Sequence, residues 1–498
     1  MSETARSESR AGRLTGYPYT PPVSSTLVRS PLPRRRGAYL SSFVSLVLSD
    51  VAAVVTAVWI SAELSRNPEP LTHMPTLFGV AMAWLGMRFA SGLYPGFGIA
   101  PPEALRLSVV TTFLAAVAHS AAMVSFRLPV ESRAVTVGSW ALLVPLAIVF
   151  RGIVKSLLVR YGLFGTPVVV LGGGNTGSFT IRELQKDAGL GLVPVAVFDD
   201  DPAKHGTVVE GVPVLGCINA AVTWTAPYSV DHAILSLSGI GNARLVEMSE
   251  HISRRYTTVS MVADTLGLGS LWITPQTFGR CLALRVKSPR FSARHLRVKR
   301  VTDLAVAIPA TIIATPIVAI AALLVAILDR GSPFYYQNRE GINGTRIRVW
   351  KIRTMVRDAE RRLHEYLDMD AGARDEWDRS MKLRSDPRVI PFIGSFLRRS
   401  SIDELPQLGS VLLGTMSLVG PRPLPDYHLA RFEPKFLDLR RQVKPGISGY
   451  WQVTDRSDSD VEQHQVADRY YIQNWSLWLD LWVLFRTGEA VLSRRGAV

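Results

Sequence analysis

Leu397-Arg398-Arg399-Ser400-Ser401-Ile402-Asp403-Glu404-Leu405-Pro406-Gln407-Leu408 opens a stretch that continues through Gly414-Thr415-Met416-Ser417-Leu418-Val419-Gly420-Pro421-Arg422-Pro423. It closes with Val443-Lys444-Pro445-Gly446-Ile447-Ser448-Gly449-Tyr450-Trp451-Gln452-Val453. Two arginines precede an adjacent acid pair, and two proline-glycine turns follow. The combination suits an anionic phosphate ester held by cations and met by carboxylates. The remainder of the chain reads as the means of holding this site against a membrane.

The composition agrees. The chain has 498 residues, 47% hydrophobic, with a formal net charge of +15 and a pI of about 10.0. Mean hydropathy is +0.17, high for a wholly soluble protein. A basic balance fits nucleic acid, anionic lipid or phosphate-bearing substrates. The long apolar runs favour lipid and phosphate over nucleic acid. Cys217 and Cys281 stand in no metal-ligand spacing and form no disulfide framework, so two free thiols in a reducing compartment are expected.

Residues 1–37 are rich in Ser, Arg, Pro and Thr and read as a disordered tail without a signal-peptide pattern. Four apolar segments follow, at about 38–62, 74–94, 105–127 and 134–158. Each is near the ~20 residues that cross a bilayer. Arg34-Arg35-Arg36 precedes the first, and Arg151, Lys155 and Arg160 end the fourth. The positive-inside rule then places the N-terminus and everything after residue 160 in the cytoplasm. Asp50 and Arg88 lie inside spans; snorkelling or an intrabundle contact is favoured over a polar binding site.

The next module is an α/β domain. Pro167–Leu171 is a buried strand pattern, Gly172-Gly173-Gly174-Asn175-Thr176-Gly177 follows, and a helical run extends to Asp187. A second strand ends at Asp199-Asp200-Asp201, and short strands recur at 211–215, 232–237 and 257–262. Strand-helix alternation predicts a doubly wound parallel sheet. Gly172, Gly174 and Gly177 fit G-x-G-x-x-G in its strand-to-helix setting. Two readings stay open: a nucleotide site, and a tight turn that packs strand on helix, the second favoured. The chain holds no Tyr-x-x-x-Lys, against a dehydrogenase or epimerase site.

Lys287, Arg290, Arg294, Arg297, Lys299 and Arg300 crowd before the apolar segment 304–328, where an anionic-lipid contact is expected. Twenty-five helical residues would span ~37 Å, enough to cross. Basic residues at both ends and the helix-breaking Pro316 at the centre favour a re-entrant hairpin that returns to the same face. Strand-and-loop structure is expected over 331–355 and a charged surface helix over 356–384. Trp475, Trp478, Trp482 and Phe485 suit a core helix or, as favoured here, a membrane interface.

Ser401-x-x-Glu404 fits a capping box, while a cap at Asp403 would place Pro406 in the first turn; either puts the acid pair at a helix N-terminus. An ionised Asp serves as a nucleophile toward phosphorus, and an adjacent Glu holds a divalent metal. Mg²⁺ suits carboxylate and phosphate oxygens, and the lack of neighbouring Cys and His disfavours zinc.

From Lys299 to about Asp480 the chain resembles the bacterial sugar transferases, the monotopic phosphoglycosyl transferases. The resemblance is carried by Lys299-Arg300-Val301-Thr302-Asp303, Gln337-x-Arg339-x-Gly341, Lys351-Ile352-Arg353-Thr354-Met355, Asp386-Pro387-Arg388, Asp403-Glu404, Gly420-Pro421-Arg422-Pro423 and Lys444-Pro445-Gly446. It implies transfer of hexose-1-phosphate from a UDP-sugar to a polyprenyl phosphate with release of UMP, on the cytoplasmic face of a bacterial inner membrane. It implies Asp403 as nucleophile, Glu404 as Mg²⁺ ligand and Arg398 on the phosphates. Arg422 and Pro423 would line the nucleotide pocket, with Arg339, Lys351 and Arg353 as further substrate contacts. Thr315-Pro316 falls at the break of the membrane helix. The expected architecture is a tail (1–37), a four-helix transmembrane bundle (38–160), a Rossmann-like α/β domain (161–285) and an α/β catalytic domain (286–498) with a re-entrant membrane helix. The membrane region permits a homodimer. Two other functions compete: a membrane-tethered nucleotide-sugar oxidoreductase and a non-enzymatic scaffold of polysaccharide assembly. The missing Tyr-x-x-x-Lys counts against the first, the intact acid pair and arginines against the second.

Overall fold

The computed structural model describes residues 38–64, 74–125, 130–226, 229–237, 242–262, 273–278, 281–286, 293–329, 331–356, 358–370, 372–374, 377, 383, 386–454 and 461–492. The expected tail, Lys287 and Arg290 lie outside the described residues. The chain divides into two compact units, Met1–Asp264 and Thr265–Val498.

The first unit begins with helices α1 (Ala38–Leu64), α2 (Met74–Ala90), α3 (Pro101–Ser125) and α4 (Val130–Arg160). Ala53 and Ala57 of α1 and Ala147 of α4 bring backbones close, and Trp84, Trp140 and Leu143 fill the remaining space. Small residues at such contacts drive helix packing where lipid offers no hydrophobic gain. The expected span at 74–94 is corrected: α2 stops at Ala90 and the chain turns through 91–95. Its described part, 17 residues from Met74, covers ~26 Å. Among the described residues, the helices long and apolar enough to cross a membrane are Tyr39–Leu64, Pro101–Ser125, Val135–Arg160 and, in the second unit, His295–Asp329. The intrabundle reading of Asp50 and Arg88 holds: Arg88 Nε lies 3.1 Å from Asp50 Oδ2 and both side chains are fully buried. Tyr94 donates to the same carboxylate, and Arg151 Nη1 stands 3.6 Å away.

The α/β part of this unit alternates β1 (Thr166–Leu171), α5 (Asn175–Lys186), β2 (Leu192–Phe198), β3 (Val208–Val209), β4 (Val212–Gly216), β5 (His232–Leu235), α6 (Asn242–Ser253) and β6 (Thr258–Met261). The sheet order is β3-β4-β2-β1-β5-β6, parallel except for the β3–β4 hairpin. The apolar runs of β1 and β2 are buried because both faces of a parallel sheet are covered.

The second unit opens with an antiparallel hairpin, β7 (Ile273–Phe278) and β8 (Cys281–Val286). Helix α7 (Ala293–Asp329) follows, then the hairpin β9 (Phe334–Glu340) and β10 (Arg346–Ile352). After α8 (Ala359–Met369) come α9 (Ile393–Arg399), a 3₁₀ turn at Ile402–Glu404 and α10 (Gln407–Leu413). Strands β11 (Ser417–Val419) and β12 (Gly446–Ser448) pair in parallel, with α11 (Pro434–Arg440) between them, and α12 (Val461–Gln473) and α13 (Leu477–Leu492) close the chain.

Helix α7 departs from the expectation of a helix broken at Thr315-Pro316. The helix continues over 37 residues, ~56 Å if straight, with Pro309 and Pro316 inside, each of which removes one backbone donor. Thr315 Oγ1 donates to Thr311 O, one residue short of the carbonyl that Pro316 leaves without its usual amide. Asp303, Ala307, Ala314, Ala321 and Val325 form a buried stripe at spacings of four and seven. Both ends meet the same domain. At the first, Lys299 Nζ lies 2.6 Å from Asp480 and donates to Val419 O, Arg300 donates to Val411 O and Leu412 O, and Asp303 accepts from Ser417 and the Leu418 amide. At the second, Arg353 lies 2.8 Å from Asp329. The opposite face leaves Ile312, Ile313, Ile320, Leu323, Ile327 and Leu328 exposed.

In the tryptophan-rich C-terminus, Trp475 departs from the membrane-interface expectation, while Trp478 and Trp482 are half-buried and Phe485 is exposed. Trp475 is buried with Leu479 and Val483 against Tyr471, Met416 and Leu418, and its Nε1 donates to Asp480 at 3.0 Å. Trp475 can be core because Asp480 gives its indole a polar partner.

Candidate active site

Four pieces converge on the acid pair. Ile402–Glu404 forms a 3₁₀ turn entered through Ser401, whose φ of 56° is left-handed. The capping box does not form: Ser401 makes no side-chain cap bond, and Pro406 stands at the N-cap of α10. The carboxylates therefore sit in a turn that precedes the helix. Asp403 is buried, and Glu404 Oε1 accepts from Lys351 Nζ at 2.7 Å and Arg422 Nη2 at 3.1 Å.

Strand pairing supplies one wall. Lys351 stands opposite Tyr335, Val349 opposite Gln337 and Ile347 opposite Arg339, so these six side chains share one face. Val349 and Ile347 are buried with Leu408 and Val411 of α10, which seats that face on the turn. A second wall is the Gly420-Pro421-Arg422-Pro423 segment after β11. A Cβ on Gly420 would lie 2.5 Å from Lys444 O, and one on Gly446 would lie 2.1 Å from Gly420 N. The two proline-glycine turns thus touch backbone to backbone, which glycine alone permits. Buried Arg440 donates to the Arg422 carbonyl and pairs with Asp468, fixing the segment from behind. Pro423 is half-buried beside Arg422. Arg398, at the end of α9, donates from Nε to Thr354 Oγ1 at 2.9 Å.

The electrostatics separate the two neighbours. Burial, reinforced by the charge of Glu404, pushes Asp403 up to about 6 against the opposing pull of Lys351 and Arg398. Burial also acts upward on Glu404, but Arg422 and Lys351 overcome it and hold that carboxyl down at about 2. Two adjacent acids pushed apart in this way take different chemical roles.

Asp403, Glu404, Arg398, Lys351 and Arg422 are brought together. Arg339 donates to Gln337 on the same hairpin face, and its charge is felt at the Tyr335 hydroxyl. Arg353, expected at the substrate, instead pairs with Asp329 at the end of α7. Thr315 and Pro316 lie within α7. Three residues without an assigned role join the site. Tyr335 faces the charges of Asp403, Arg398 and Glu404, and burial raises its pKa. Thr354 and Arg440 hold the two arginines. The strand register is the signal for Tyr335, once Lys351 is placed. For a divalent ion, the described residues contain no cluster of three or more His, Cys, Asp or Glu. The donors on offer are the two adjacent carboxylates, an ordinary protein share for Mg²⁺ that arrives with phosphates.

In the α/β domain, Gly172 has φ 104°, and a Cβ on Gly177 would lie 1.9 Å from Gly172 O. The motif thus serves close strand-helix packing. Asp199 Oδ2 accepts from the Gly173 amide at 2.6 Å and from Lys204 Nζ at 3.0 Å. Burial acts upward on Asp199, but the amides of Asp201 and Gly173 and the Lys204 charge more than offset it and hold it below the ordinary carboxylate range.

Residues 294–494 match the family described as bacterial sugar transferase, and residues 90–263 match one described as a CoA-binding domain. The chain is 33% identical over 384 residues to the undecaprenyl-phosphate galactose phosphotransferase of Salmonella typhimurium, covering 76% of this chain and 78% of that one. It is 33% identical over 375 residues to the UDP-galactose-lipid carrier transferase of Erwinia amylovora (74% and 76% covered). To the UDP-glucose:undecaprenyl-phosphate glucose-1-phosphate transferase of Escherichia coli it is 24% identical over 468 residues, covering 91% and 96%. On this similarity, which runs through the acid pair and both its walls, the chain belongs to the bacterial sugar transferase family.

Proposed function

We propose that this protein transfers hexose-1-phosphate from a UDP-sugar to a polyprenyl phosphate and releases UMP, initiating exopolysaccharide assembly. The observation that carries the reading is the split acid pair: Asp403 at about 6 beside Glu404 at about 2, among Lys351, Arg398 and Arg422. At neutral pH Asp403 is ionised yet more basic than an ordinary carboxylate, which suits a nucleophile. Its oxygen attacks the sugar-bearing phosphorus. The bond from that phosphorus to the bridging oxygen breaks, and UMP leaves with the electron pair. An oxygen of the polyprenyl phosphate then attacks the same phosphorus and frees Asp403. Arg422, Lys351 and Arg398 neutralise charge as it gathers on the leaving nucleotide. Glu404 fixes two of these cations and would hold Mg²⁺, with Asp403 adjacent. That ion would supply charge neutralisation on the diphosphate when bound.

The membrane arrangement follows from α7. A helix whose two ends are both tied to one domain, and whose outer face is apolar, suits entry into a bilayer from a single side. The acid pair then lies on the cytoplasmic side with its nucleotide substrate, as the basic residues flanking the spans also favour. The test is UMP release by the full chain in nanodiscs with Mg²⁺, polyprenyl phosphate and a panel of UDP-sugars. Release with one preferred sugar, lost in Asp403→Asn, supports the reading. Folded protein that releases no UMP from any sugar overturns it.

A further inference from the structure

The β9–β10 hairpin has two faces, and the site uses one. The other carries Phe334, Tyr336 and Asn338 from β9 opposite Ile352, Trp350 and Arg348 from β10. Phe334, Tyr336 and Trp350 are 36%, 46% and 40% exposed. The Tyr336 and Trp350 rings lie 5.2 Å apart, and the Arg348 guanidinium covers Tyr336 at 5.1 Å. Single exposed rings are ordinary on soluble proteins, but three together beside a cation mark a contact surface. A cross-strand aromatic pair stabilises a hairpin, yet that leaves the rings still facing outward.

The place of this face names its partner. Ile352, which shares it, is fully buried with Ala321 and Val325 of α7. The aromatic face therefore adjoins the C-terminal half of α7, which leaves Ile320, Leu323, Ile327 and Leu328 exposed on its other side. Trp and Tyr concentrate where a bilayer meets water, and arginine there reaches lipid phosphates. We propose that Phe334, Tyr336, Trp350 and Arg348 form a second membrane-contact surface, seated in the headgroup layer of an anionic bilayer. Lys351 and Tyr335 occupy the reverse side of the same two strands. The hairpin thereby sets the depth at which the acid pair meets a phosphate carried on a lipid. This inference rests on the reading that α7 lies in the bilayer.

The test is spin-label accessibility in the full chain, in nanodiscs containing phosphatidylglycerol, with Cys217 and Cys281 replaced by serine. Single labels are introduced by Tyr336→Cys, Trp350→Cys, Ile320→Cys on α7 and Glu365→Cys on the charged α8. Collision with oxygen is compared with collision with a water-soluble nickel chelate. The proposal expects the labels at 336 and 350 to favour oxygen several-fold more than the label at 365, and less than the one at 320. Labels at 336 and 350 that match 365, while 320 reads as lipid, overturn the hairpin surface alone. A label at 320 in water overturns the reading of α7 and this proposal with it. Spin-spin broadening at 350 that vanishes on dilution with unlabelled chain assigns the surface to a second copy and overturns the lipid partner. Trp350→Ser is further expected to raise KM for polyprenyl phosphate several-fold with kcat unchanged.

Discussion

Asp50 and Glu404 each meet two cations, and only Glu404 is read as chemistry. In the bundle, Asp50 faces Arg88 and Arg151 and accepts from Tyr94, with Asp50 and Arg88 sealed from solvent. In the second unit, Glu404 faces Lys351 and Arg422 at a partly open turn. The difference is the neighbour. Asp50, between Ser49 and Val51, has no second acid beside it in sequence, and its two arginines are partners for its charge. Glu404 absorbs two cations beside a second acid, and that acid is left buried and raised. A paired buried charge is weak evidence for function; two adjacent acids driven apart are stronger evidence.

Substitutions at the two places should separate these roles. The largest effect is expected for Asp403→Asn, which removes the proposed nucleophile and should cut UMP release by on the order of 10⁴-fold or more with the fold intact. Arg422→Gln removes one of the cations over the leaving nucleotide and should lower kcat by about 10²- to 10³-fold. The pH profile sharpens the contrast. Asp403 must be ionised to attack, so kcat/KM should rise with pH and level off above an apparent pKa of about 6. Lys351 holds that pKa down, so Lys351→Met should move the acid limb to higher pH as well as lower the plateau. The smallest effect on turnover is expected in the bundle. Arg88→Leu leaves a buried carboxylate short of a partner and should destabilise that unit by about 3–5 kcal/mol. UMP release per folded molecule should stay within about twofold if the pair is structural. A large loss of turnover at unchanged stability would erase the contrast.

The sequence made some of this legible and hid the rest for physical reasons. Asp403-Glu404 and Arg422 stand in contiguous motifs whose local chemistry survives folding. The parallel sheet was legible because buried strands and Gly172–Gly177 write a local pattern. Long-range pairing was not. Arg353 lies in a motif of cations, and nothing local shows that Asp329 takes it. Asp50 and Arg88 lie on separate helices, so their pairing became visible only when those helices packed. Pro316 promised a broken helix, but the stripe of Ala307, Ala314 and Ala321 along the domain carries α7 through it. Trp475 read as an interface residue until Asp480 appeared as an internal partner for its indole.

The most direct test of the central claim is to trap the intermediate. Full chain in nanodiscs is mixed with UDP-sugar and Mg²⁺ without polyprenyl phosphate, quenched in acid and digested, and its peptides are weighed. The account predicts one hexose phosphate on the peptide that contains Asp403, removed on adding polyprenyl phosphate and absent in Asp403→Asn. An active enzyme that never carries the group, or carries it on another residue, would contradict it.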